Sequence, residues 1–167
     1  AIAQSVDLLA PGLEAAASLI VDAALKDARV FVCAAGEDGG LALHAAACLR
    51  RGGEGAPALP VLGLAGGGDN DSSGVSDLWR DLRALSRDGD ILILLDSADG
   101  AVLAQEGVRI ARERNLSAIV LSYPTDFRTG AVALPLAGNT RTLRRELALM
   151  ALNSLHILIL QILTGEA

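Results

Sequence analysis

The chain has 167 residues, enough for one domain with a sizeable core. It is 51% hydrophobic but only 2% aromatic, and its formal net charge is −6. An acidic chain this poor in aromatic rings lacks both the basic field and the stacking surfaces that nucleic acids require, and the field that anionic membranes require, so direct binding to either is not expected.

Residues 3–26 carry Leu9, Leu13, Ala16, Ile20 and Ala24 at helical spacing, which predicts a long helix. Pro11 lies inside it and predicts two pieces or a kink near Ala10. Residues 29–35 (RVFVCAA) predict a buried strand, 36–40 (GEDGG) a turn, and 41–51 a helix stopped by Gly52 and Gly53. Pro57 and Pro60 lead into a second strand over 59–65, and residues 66–74 (GGGDNDSSG) predict a polar loop. Within that loop Asp69, Asn70 and Asp71 resemble part of a calcium loop, but the required Gly and closing Glu are missing.

A helix with Trp79 on one face is predicted over 75–86, followed by the clearest strand, 90–95 (DILILL). A helix over 101–114, a strand over 116–122, a turn over 123–130 and a fifth strand over 131–136 follow. The chain closes with a helix over 140–164. Its most apolar part, 147–163, falls short of the ~20 predominantly apolar residues of a membrane span and contains Asn153, Ser154, His156 and Gln161. It is expected to be a buried helix at a subunit interface.

Continuous apolar strands alternating with helices predict a single α/β domain over 1–167. It is a three-layer αβα fold with a five-stranded parallel sheet, flavodoxin-like, with long N- and C-terminal helices. In such folds ligands bind beyond the carboxyl ends of the strands. The expected cleft is therefore formed by Gly36, Glu37 and Asp38 after the first strand, and by Asp96, Ser97, Asp99 and Gly100 after the third. Asp99 beside Gly100 also suits a helix cap or turn. The cysteines Cys33 and Cys48 form no C-x-x-C pair and are expected to be buried, reduced thiols of a cytoplasmic protein. The first residues show no secretory signal pattern. Nucleophile-elbow, Walker and dinucleotide fingerprints are absent from the sequence.

The order of elements resembles the sugar isomerase (SIS) family, near its bacterial phosphoheptose isomerases. The resemblance spans nearly the whole chain. It is carried by Cys33 with its Gly-bearing turn, by His44 on the next helix and by residues 85–92 (LSRDGDIL) entering the third strand. Glu146 and Asn153-Ser154-Leu155 on the last helix complete it.

The resemblance implies a phosphate site at a Ser/Thr-rich loop after the third strand, where this chain has Asp96-Ser97-Ala98-Asp99-Gly100-Ala101. Losing a hydroxyl donor costs about 0.5–1.5 kcal/mol. A carboxylate ~4 Å from a phosphate costs roughly 4 kcal/mol per unit charge at an effective dielectric of about 20. Anionic sugars are therefore expected to bind weakly or not at all.

By the same resemblance His44 matches a catalytic His, while the Glu one turn later is Cys48. On the last helix, one alignment places Arg145 and Asn153 at the family's Gln and His, and the other places Ala148 and His156 there. The implied catalytic candidates are His44 and His156. No metal or other cofactor is expected, the alternative being zinc held by His44, Cys48 and His156. The resulting expectation is a non-catalytic homo-oligomer, a tetramer by resemblance, acting as a scaffold for the replication initiator DnaA. The alternatives are a sedoheptulose 7-phosphate isomerase and a sugar-binding SIS module.

Overall fold

The computed structural model describes residues 2–67, 72–123 and 130–165. The elements follow in the order α1 (Ile2–Ala24), β1 (Val30–Ala34), a 3-10 turn (Gly36–Asp38), α2 (Gly39–Arg51), β2 (Val61–Ala65), α3 (Ser72–Leu85) and β3 (Ile91–Asp96). They continue with α4 (Val102–Glu113), β4 (Ser117–Ser122), β5 (Val132–Pro135) and α5 (Arg141–Thr164). The strands form one five-stranded parallel sheet in the order β2-β1-β3-β4-β5. The predicted αβα fold is present. Asp69, Asn70 and Asp71 lie outside the described residues, as does most of the predicted turn over 123–130.

Strand side chains alternate between two cores. Val30, Val32, Ile91, Ile93, Ile119 and Leu121 face α1, α2 and α5. Phe31, Cys33, Leu92, Leu94 and Val120 face α3 and α4. Both faces are covered, so β1 and β3 are buried at every position and read as unbroken apolar runs.

Helix α1 runs as one element through Pro11 and is not divided there. Pro11 is exposed, so the carbonyl left without its helical partner can turn to water. The adjacent Gly12 lets the helix touch the sheet edge. A Cβ there would run into the Ala133 carbonyl and lie 2.8 Å from Leu134 Cδ2. Two predicted loops are shorter than their composition suggests: α2 begins at Gly39 and α3 at Ser72, each inside a Gly-rich segment.

Helix α5 is long and apolar enough to cross a membrane by length and composition. One stripe of it, including Leu147, Ala151, Leu152, Leu155 and Ile159, is nevertheless built into the core. Leu149, Met150, Ile157 and Ile162 on α5 stay exposed, as do Val6 and Leu8 on α1.

Asp96 ends β3 and caps α4 from a distance. Its Oδ2 accepts from Ala104 N at 3.0 Å and its Oδ1 from Ala98 N at 3.1 Å. The residue at the helix N-cap, Ala101, has no side-chain acceptor and sits at φ 48°, directly after Gly100 at φ 80°. Burial raises the Asp96 carboxyl above its ordinary 3.8, against the lowering effect of the backbone N–H groups, with Asp38 adding repulsion.

Two outcomes are expected. Gly12→Ala should lower stability by about 1–3 kcal/mol in chemical denaturation, because the new methyl meets backbone at a packed edge. The folded state favours protonated Asp96, so its contribution is fully present below pH 3.8 and is lost as pH rises through the raised folded value. The melting temperature of Asp96→Asn, minus that of the unmodified protein, should therefore increase from about pH 4 to about pH 7.

Candidate functional site

The sheet order reverses between β1 and β3, so the segments leaving these strands diverge and open a crevice at their carboxyl ends. Ala35 is extended, and the following 3-10 turn folds Asp38 back beneath the loop after β3. Asp38 is 2% exposed. Its Oδ2 accepts from the Ser97 backbone N at 2.8 Å, and its Oδ1 lies 2.7 Å from Ser97 Oγ. Ser97 is itself completely buried. The hydroxyl and the amide of the loop that follows β3 are thus both turned onto a carboxylate of the same chain.

Opposite stands the first turn of α5, capped by Thr140, whose hydroxyl oxygen accepts from Leu143 N. Arg141 Nε donates to Ser97 Oγ at 3.2 Å, so the donors run from guanidinium to hydroxyl to carboxylate. Arg145 Nε lies 3.4 Å from Asp38 Oδ1, an ion pair without hydrogen-bond alignment. Arg145 also donates to the Glu37 carbonyl at 3.0 Å, and both Arg145 and Arg141 approach the Glu37 carboxylate. Buried Arg144 donates to Asp99 Oδ1 at 2.6 Å, although the Asp99 side chain is 94% exposed. Cations at a helix N-terminus oppose the helix dipole. Here Glu37, Asp38 and Asp99 offset that cost.

The structure therefore brings the predicted cleft residues Gly36, Glu37, Asp38, Asp96, Ser97, Asp99 and Gly100 to one end of the sheet. The sequence reading missed Arg141 and Arg144 and treated Arg145 only as a substitute. The signal was available: a run of arginines in the first turn of a helix needs acidic partners from elsewhere. The carboxylates still outnumber the guanidiniums, but several are paired rather than free to repel a ligand.

A cavity of about 340 Å³ lies beside this network, between α3 and α4. Its walls include Ala35, Val75, Trp79, Val102 and Leu103, with Asp38, Asp96, Asp99, Glu106 and Arg141 supplying the polar groups.

His44 is exposed on α2, and its Nε2 is 3.6 Å from the sulfur of Cys48. Cys48 is half-buried rather than buried. Cys33 matches expectation: it is buried, and burial pushes its thiol far up, so it stays an unreactive neutral thiol. His156 is half-buried on α5, and among the described residues its Nε2 has no hydrogen-bond partner. Among the described residues, no three His, Cys, Asp or Glu side chains are grouped to hold a metal ion. The alternative zinc set of His44, Cys48 and His156 is therefore not assembled among the described residues of one chain.

No family model matches the sequence. Among solved structures, the chain is similar to a phosphoheptose isomerase from Francisella tularensis. The TM-score is 0.79 at 20% identity, covering 95% of this chain and 90% of that one. It is also similar to a phosphoheptose isomerase from Neisseria gonorrhoeae, with a TM-score of 0.72 at 19% identity, covering 95% and 94%. The chain therefore has the three-layer αβα fold of the SIS type that these isomerases share.

Proposed function

We propose that the chain is a SIS-type ligand-binding module that does not isomerise sugar phosphates, and that its ligand is an unphosphorylated sugar derivative. The observation that carries this reading is the Asp38 carboxylate held by the Ser97 amide and hydroxyl. A phosphate seeking those donors must break hydrogen bonds to a charged group, worth about 1.5–3 kcal/mol each. It would also approach Asp38 and Asp96. Proton transfer on a sugar needs a positioned base. His44 instead faces solvent and meets only a thiol one turn away. The module acts without a metal or other cofactor, in the cytoplasm.

A second reading is a phosphoheptose isomerase, with His44 and His156 as the catalytic pair. The likeness to two solved isomerases over almost the whole chain favours it. A third is an oligomeric scaffold for DnaA. It is favoured by the exposed apolar side chains Leu149, Met150, Ile157 and Ile162 on α5 and Val6 and Leu8 on α1, which suit a homo-oligomeric, tetrameric interface.

Purified protein incubated with sedoheptulose 7-phosphate, with and without added zinc, should show no isomerisation. Turnover abolished by His44→Ala would establish the second reading instead. Light scattering should give a mass above that of a single chain, and a stable monomer would remove the scaffold reading. Retention of DnaA on the immobilised protein is the outcome specific to that third reading.

A further inference from the structure

The cavity between α3 and α4 lies on the sheet face opposite His44, Cys48 and His156: its walls come from the Trp79 and Val75 side, whereas α2 and α5 cover the other face. At about 340 Å³ it is at the small end of ligand sites, which fits a compact body. Val75, Trp79 and Leu103 give it an apolar wall. Val102, 73% exposed, is a bare apolar side chain among the lining residues.

The charge of the lining selects the ligand further. Among the described residues, Asp38, Asp96, Asp99 and Glu106 line it against one guanidinium, Arg141. Arg141 is already turned to Ser97 and Glu37. Asp38 and Asp96 are buried and bonded to Ser97 and to backbone N–H groups, so their carboxyl oxygens are fixed in place on the lining. Asp99 and Glu106 are paired to Arg144 and Arg109, but the Asp99 side chain is 94% exposed and that of Glu106 41%. The Glu106–Arg109 pair is solvent-exposed and weak, so an arriving cation can share or replace Arg109, whereas at Asp99 a cation would add to the open side of a carboxylate that keeps its buried Arg144. An anion would meet these carboxylates with no unpaired guanidinium among the described lining residues, whereas an ammonium gains from the carboxylates.

We propose that this cavity binds a compact amine: a ring-sized body against the Trp79 wall, with its ammonium group toward Asp99 and Glu106. The inference rests on the reading of the chain as a ligand-binding module and names the chemistry of its ligand.

The test uses Trp79, the only tryptophan, as reporter. Its emission is followed while the full chain is titrated with cyclohexylamine, glucosamine, cyclohexanol and cyclohexanecarboxylate. Saturable changes are expected with an amine, at an affinity at least about tenfold above that for cyclohexanecarboxylate. Tighter binding of glucosamine than of cyclohexylamine supports the sugar-derived ligand of the proposed function, and the reverse order keeps the amine site but overturns the sugar assignment. Glu106→Gln, at a half-exposed position, should weaken the amine by about fivefold without altering the circular dichroism. No saturable change with either amine, equal affinity for the carboxylate, or an unaltered affinity in Glu106→Gln would each overturn the proposal. Heptose phosphate turnover is measured separately, so failure of the amine titration and failure of the non-isomerase reading are told apart.

Discussion

The arrangement at the carboxyl end of the sheet depends on one buried carboxylate. Asp38 could not stay 2% exposed and charged without donors. Ser97 supplies an amide and a hydroxyl, and Arg145 supplies a countercharge. These contacts tie the turn after β1 to the loop after β3 across the switch point, where an α/β fold would otherwise leave an open crevice. The Ser97 amide and hydroxyl at this switch point are taken by a side chain carried on a neighbouring turn.

That arrangement explains the charges around it. Once Asp38 is seated, Arg141 and Arg145 can sit at the N-terminus of α5 despite the helix dipole, because acidic groups face them. Glu37 extends the same compensation outward to the surface, where its pair is screened and contributes little to stability, and Asp99 reaches from the surface to the buried Arg144. The buried part of the network fixes geometry. The exposed part sets the sign of the field at the cavity mouth.

The layered fold was legible because strands buried on both faces read as unbroken apolar runs, as in residues 91–95. Helix starts were harder to place. Gly39, Gly40, Ser72, Ser73 and Gly74 are poor helix formers, and tertiary packing overrides their propensity. The loops that form the site were legible from topology alone. The identity of their partners was not, since Glu37 and Arg145 are paired only by folding. The sequence reading therefore weighed the carboxylates without the arginines that neutralise part of their field. The alternative zinc set of His44, Cys48 and His156 finds no support among the described residues, where no three such side chains are grouped.

Phosphate can seat at the start of α4 only if the Ser97 donors are not already taken by Asp38. Isothermal titration of inorganic phosphate into the unmodified chain and into Asp38→Ala addresses this most directly. With Asp38 removed, Ser97, Arg141 and Arg145 should bind phosphate measurably, while the unmodified chain gives no heat of binding. Phosphate binding to the unmodified chain as tight as to Asp38→Ala would contradict it.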